Sequence, residues 1–126
     1  VAEDHFLLAE TVCDFLHDCG LVPVGPVASA AEGCKLARGT ALDGAVLDLR
    51  LTDGLSLPIC QVLAARQVPF LFLTGSSNLS VIPIEFRGAP VICKPFDSDE
   101  MKAALNHILH RMITTETPPE METSGT

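Results

Sequence analysis

Short apolar runs, each ending on a polar side chain, alternate along this chain with stretches of helical periodicity. Ala45-Val46-Leu47 delivers Asp48, Val68 to Leu73 delivers Thr74, and Pro90 to Cys93 delivers Lys94. Strand-sized runs separated by helix-sized segments are the pattern of a parallel α/β sheet. Val1-Ala2 reads as the end of a further strand, closed by the acidic pair Glu3-Asp4. Leu21 to Val24 reads as a second strand, ended by Gly25-Pro26.

The intervening segments carry helix signals. Leu8, Val12, Phe15, Leu16 and Cys19 recur at helical spacing between about His5 and Cys19, and Gly20 supplies a C-terminal stop. Ser29 with Glu32 forms a capping box for a second helix running to about Arg38, with Gly39 at its end. A loop from Leu49 to Leu57, with Asp53-Gly54 as its turn, leads into a third helix reaching about Arg66. Pro83 interrupts the stretch from Ser76 to Gly88, so a fourth helix there is expected to be short or irregular. Asp97 and Glu100 cap a last helix whose apolar face is Met101, Ala104, Leu105, Ile108, Leu109 and Met112. Few apolar residues follow Thr114, so the expected organisation is one domain over 1–113 and a flexible tail over 114–126.

Composition narrows the function classes. A chain of 126 residues, 48% of them hydrophobic, supports one domain with a substantial core. A net charge of −8 argues against nucleic acid or an anionic membrane as partner, and the absence of Trp and Tyr weakens any reading based on base or sugar stacking. Cys13, Cys19, Cys34, Cys60 and Cys93 are odd in number and lack C-x-x-C spacing, so they read as reduced core residues of a cytoplasmic protein. No apolar run approaches the roughly 18 residues of a membrane span, and there is no secretory signal. The first strand has only two residues here and begins at Val1, so further residues are expected upstream.

In a parallel sheet the C-terminal strand ends gather along one edge, where ligands bind. Glu3, Asp4, Asp48, Thr74 and Lys94 therefore converge on one pocket although they span most of the chain. Each has a blander role open to it: a cap or turn for Asp48, a helix-dipole pair for Glu3-Asp4, a turn for Thr74 before Gly75. Lys94 is different, because a lysine at a buried strand end needs a partner for its charge. Three carboxylates in one cleft raise one another's pKa unless a cation compensates them. Oxygen-only ligands in a partly open site suit Mg²⁺. An ionised Asp48 beside such an ion is placed to attack a phosphoryl group, with Lys94 and the Thr74 hydroxyl positioning the transferred oxygens. His107 and His110 lie three apart on the last helix but lack a third ligand, and a solvated face is the simpler reading. His5 either borders the pocket or is an ordinary first-turn residue.

Four segments in order, V-A-E-D-H, A-V-L-D-L, F-L-T-G and I-C-K-P-F, resemble the response-regulator receiver domains of two-component signalling over about residues 1 to 112. P-F-L-F-L-T-G and F-R-G-A-P-V further resemble alphaproteobacterial receivers that stand alone or end hybrid histidine kinases. The resemblance implies a flavodoxin-like, doubly wound five-stranded parallel sheet in the order 2-1-3-4-5. It implies Asp48 as phosphoacceptor, with Thr74 and Lys94 contacting the phosphoryl group. Glu3, Asp4 and Asp48 would hold Mg²⁺, joined by the Arg50 backbone carbonyl. The implied partners are a histidine kinase or phosphotransfer protein upstream and another protein downstream, with no nucleic acid and no membrane; a homodimer is left open. The resemblance breaks at Val91, where the family carries a switch Tyr or Phe, and in the irregular 76–88 segment. Two alternatives remain: an unphosphorylated pseudo-receiver, and a Mg²⁺-dependent phosphohydrolase with an Asp nucleophile. The second requires an acid two residues after the nucleophile, where this chain has Arg50.

Overall fold

A computed structural model describes residues 1–75 and 79–109. Helix α1 spans Phe6–Asp18 and α2 spans Ala30–Gly39. Strand β1 (Ala45–Leu47) is followed by a small ladder of β2 (Arg50–Leu51) and β3 (Gly54–Leu55), then α3 (Leu57–Ala65). Strand β4 (Phe70–Thr74), strand β5 (Val91–Cys93) and helix α4 (Ser98–Leu109) complete the described fold.

The main sheet is parallel, with β4 between β1 and β5. Ala2 extends it by bridging Leu47 on one side and Val27 on the other, both in parallel. Counted along the chain, the order is 2-1-3-4-5, as the resemblance implies. The second strand nevertheless differs from the expected Leu21–Val24: Val27 carries the bridge, and Leu21–Val24 forms no strand. Pro23 and Pro26 have no N–H to give a ladder, which breaks the pairing into single contacts: Val27 N–H to Val1 O at 3.0 Å and Glu3 N–H to Val27 O at 2.9 Å.

The period-2 alternation of the strands divides the core in two. Leu47, Phe70 and Phe72 face α2 and α3 and pack with Cys34, Ala37, Ile59 and Leu63. Val46, Leu71, Leu73 and Ile92 face α1 and α4 and pack with Val12, Leu16, Met101 and Leu105. Helices thus cover both faces of the sheet. Phe72 is fully buried at the centre, so truncating it to Ala is expected to cost about 3–5 kcal/mol. α2 and α3 approach closely at Gly33, where an added Cβ would lie 2.2 Å from Ile59 Cδ1.

Local signals account for the helix ends. His5 caps α1, its Nδ1 accepting from Leu8 N–H at 3.3 Å. At the other end Leu21 N–H bonds to Leu16 O and Gly20 N–H to His17 O, with Gly20 at φ +84°: a Schellman motif of the kind glycine favours. The same two-bond pattern closes α3, through Val68 N–H to Leu63 O and Gln67 N–H to Ala64 O. There Gln67 takes the left-handed conformation, φ 59°. Ser29 caps α2 as expected, and Asp97 accepts Glu100 N–H at the start of α4.

Between β4 and β5 the expected irregular fourth helix consists, among the described residues, of two 3-10 turns, Leu79–Val81 and Ile84–Phe86. Pro83 separates them. Arg87 Nε donates to Ile82 O at 3.0 Å, a bond that brackets the second turn. The cysteines correct the expectation of a wholly core role: all five are free, Cys34 and Cys60 are buried, Cys13 and Cys19 half-buried, and Cys93 exposed. Cys93 shares the face of half-buried Val91 but is the last residue of the edge strand β5, and there it is exposed. Among the described residues no helix is long and apolar enough to cross a membrane. His110, Met112 and the expected tail over 114–126 lie outside the described residues.

Candidate functional site

The strand ends bring the site together. Ala2 is held between Val27 and Leu47, which places Glu3 next to the end of β1. Asp48 N–H donates to Ala2 O at 2.8 Å, fixing the Asp48 backbone against the same segment. Thr74 is the last residue of β4 and is buried. Lys94 N–H donates to Thr74 O at 3.0 Å, so the lysine leaves β5 directly beside it.

Glu3 and Asp48 are buried and Asp4 is exposed, and the three offer carboxylate oxygens that all lie within 4.8 Å of one another. Lys94 Nζ lies 2.8 Å from Asp48 Oδ2 and 3.0 Å from Glu3 Oε1. Glu3 Oε2 accepts the His5 N–H at 2.9 Å. Glu3 Oε1 is buried, with the Lys94 ion pair but no hydrogen-bond partner. Asp48 Oδ1 faces the Arg50 N–H at 3.4 Å, and the Arg50 side chain itself is exposed. Arg50 thus meets the site through its backbone.

One ammonium among three carboxylates leaves an excess of negative charge when all are ionised. Burial pushes the Glu3 carboxyl above its ordinary value, and the Asp48 charge adds to this against the His5 N–H and Lys94. Burial pulls Lys94 down, yet its hydrogen bond to Asp48 and its charge pairing with Asp48 and Glu3 outweigh that and raise it. An all-oxygen donor set with excess charge and one buried, under-bonded carboxylate oxygen fits a hard divalent cation such as Mg²⁺.

Every residue singled out for the pocket lies at or beside these strand ends: Glu3, Asp4, Asp48, Thr74, Lys94 and the Arg50 backbone. His5 borders the pocket through its main chain while its ring caps α1. His107 is exposed on α4, away from this cluster of acids. Val91 is half-buried, pairs with Phe72 and packs on the α2–α3 side. The sequence reading missed Asp53. It supplies more than a turn, because its Oδ1 and Oδ2 accept the N–H groups of Ala30 and Ala31 at 2.6 and 3.1 Å. No local spacing announces a cap that comes from more than twenty residues away.

The structure is similar to the solution structure of SdrG from Sphingomonas melonis Fr1. The TM-score is 0.75 and the identity 38%, over 86% of this chain and 92% of that one. The chain is a response-regulator receiver domain. The receiver domain also superposes with TM-score 0.71 on the BeF3-activated conformation of SdrG, at the same 38% identity. At the level of fold alone it resembles the REC domain of the PhyR response regulator from Erythrobacter litoralis, with TM-score 0.77 and 18% identity over 96% of this chain and 93% of that one. Among curated proteins it is 32% identical over 96 residues to the acid tolerance regulatory protein ActR of Rhizobium meliloti (strain 1021), covering 73% of this chain and 48% of ActR. The receiver domain thus spans about half the length of the curated relatives it matches. No family model matches the sequence.

Proposed function

We propose that this receiver domain accepts a phosphoryl group on Asp48 from a phosphohistidine donor and uses it to switch protein–protein contacts in the cytoplasm. The observation that carries the reading is the convergence of Lys94 Nζ, 2.8 Å from Asp48 Oδ2, with three carboxylates whose oxygens share one small space. Asp48 is the nucleophile: a carboxylate oxygen bonds to phosphorus while the donor's imidazole nitrogen leaves with the bonding pair. Lys94 starts as the Asp48 counter-ion and donates to the transferred phosphoryl oxygens, and the Thr74 hydroxyl is the second donor. Glu3, Asp4, Asp48 and the Arg50 carbonyl are the proposed Mg²⁺ ligands. The ion, when bound, neutralises charge on the carboxylates and the phosphoryl oxygens.

The phosphohydrolase alternative needs a general acid at position 50, and an exposed Arg50 side chain cannot serve. Incubation with a ³²P-labelled histidine kinase, and separately with acetyl phosphate, tests the proposal. The expected result is one equivalent of acid-stable, base-labile label that requires Mg²⁺ and is absent from Asp48→Asn. Label persisting in Asp48→Asn, or none in the parent, overturns it.

A further inference from the structure

Among the described residues, Asp53 is the acidic side chain outside the pocket whose bonding reaches furthest along the chain. It sits in the turn between β2 and β3, where Arg50 pairs with Leu55 and Leu51 with Gly54. Its two oxygens take the first free N–H groups of α2, those of Ala30 and Ala31. Beside it Thr52 gives both its N–H and its hydroxyl to Ala28 O, at 3.1 and 3.0 Å. Four hydrogen bonds therefore hold the turn against residues 28–31. At the other end of this short ladder stands Arg50, whose N–H faces Asp48 Oδ1 at 3.4 Å. Ser56 N–H to Leu49 O, at 2.9 Å, closes the loop behind it.

We infer that Asp53 is a positioning residue for phosphoryl transfer. By clipping the β2–β3 turn to the amino end of α2, it sets where the Arg50 backbone stands relative to Asp48. The inference rests on the proposed phosphoacceptor role of Asp48 and adds a residue that touches neither metal nor phosphoryl group. The bonds to Ala30 and Ala31 also draw the Asp53 carboxyl below its ordinary value, so the side chain stays an anion and an acceptor throughout the neutral range. α2 does not depend on Asp53 alone for its cap. Ser29 Oγ accepts Glu32 N–H at 3.1 Å, and among the described residues the hydrogen bonds of the Ser29 side chain stay with Glu32. The two caps separate positioning from helix stability.

Asp53→Ala and Ser29→Ala are compared with the parent by thermal melting, by titration with Mg²⁺ alone followed in backbone amide shifts, and by initial labelling rate from acetyl phosphate. Both variants are expected to melt lower. Asp53→Ala is expected to bind Mg²⁺ about tenfold more weakly, the scale of a lost supporting contact, to label more slowly, and to show faster hydrogen exchange at the Arg50 amide. Ser29→Ala should keep the parent's affinity, rate and exchange. Asp53→Asn, which retains one acceptor, should fall between Asp53→Ala and the parent. Equal Mg²⁺ affinities for Asp53→Ala and Ser29→Ala overturn the inference while leaving the function of Asp48 intact. A parent protein that neither labels nor binds Mg²⁺ overturns both.

Discussion

Lys94 Nζ stands 2.8 Å from Asp48 Oδ2, an ion pair across 46 residues of chain. β4 lies between the strands that carry the two partners, so the contact is made over the end of the sheet and past Thr74. The same ammonium reaches Glu3 on the segment beyond β1. One cation therefore balances two buried carboxylates, and its removal has a calculable consequence.

Lys94→Met leaves Glu3 and Asp48 facing each other without compensation. In EDTA at pH 7 the variant is expected to lose about 1–3 kcal/mol, below the value for a fully buried pair because Lys94 is partly exposed. Urea denaturation checks it. The deficit should shrink as pH falls toward 4.5 and the raised Glu3 carboxyl takes up its proton, and an unchanged midpoint at pH 7 would count against the pair.

Glu3→Gln should act the other way. Burial raises the folded Glu3 pKa above its ordinary 4.5, so the folded state favours the neutral acid. That contribution is complete below 4.5 and is lost as pH rises through the folded pKa. A permanently neutral Gln escapes the loss. Without metal, the variant is expected to melt above the parent at pH 7, with the gain fading as pH falls toward 4.5. Melting curves across that range decide the sign. With Mg²⁺ added, the parent should gain more than the variant.

Gln67→Gly is expected to stabilise. Gln67 closes α3 at φ 59°, a conformation that costs an L-residue roughly 1–2 kcal/mol, against which Gly loses some extra chain entropy. The net gain should be about 0.5–1 kcal/mol, measurable as a raised urea midpoint with unchanged slope.

The thiols should react in order of exposure. Cys93 is exposed and is expected to alkylate first in the native protein. Cys34 and Cys60 are buried, and burial pushes the Cys60 thiol up to about 12, so both should resist until the protein unfolds. Peptide mapping after a short iodoacetamide pulse at pH 8 reads the order, and early modification of Cys60 would contradict this packing.

Where a signal is local, the residues announce it. Ser29 with Glu32, Gly20 after Cys19, and Pro83 inside 76–88 each act within one turn, and each takes the expected role. The pocket was legible for a related reason: an apolar run that ends on Asp48, Thr74 or Lys94 fixes the side chain's place once the sheet is parallel. What hid from the sequence depends on distant partners. Leu21–Val24 has the composition of a strand, yet pairing falls to Val27 because the prolines interrupt the ladder. Cys93 looks like a core residue, yet it ends the edge strand β5 and is exposed. Asp53 looks like a turn until α2 arrives beside it.

The placement of Ala2 has a consequence for how the chain acquires its shape. Its neighbours in the sheet are Val27 and Leu47, and Leu47 in turn waits for Phe72. During synthesis the segment bearing Glu3 and Asp4 emerges well before anything it can pair with. The first half of the chain carries Glu3, Asp4, Asp48 and Arg50, whereas Thr74 and the Lys94 counter-ion come only from the second. Assembly is therefore governed by long-range closure, which slows folding. A chain that ends before β5 should therefore present the carboxylates without their ammonium and lose most of its phosphoacceptor chemistry.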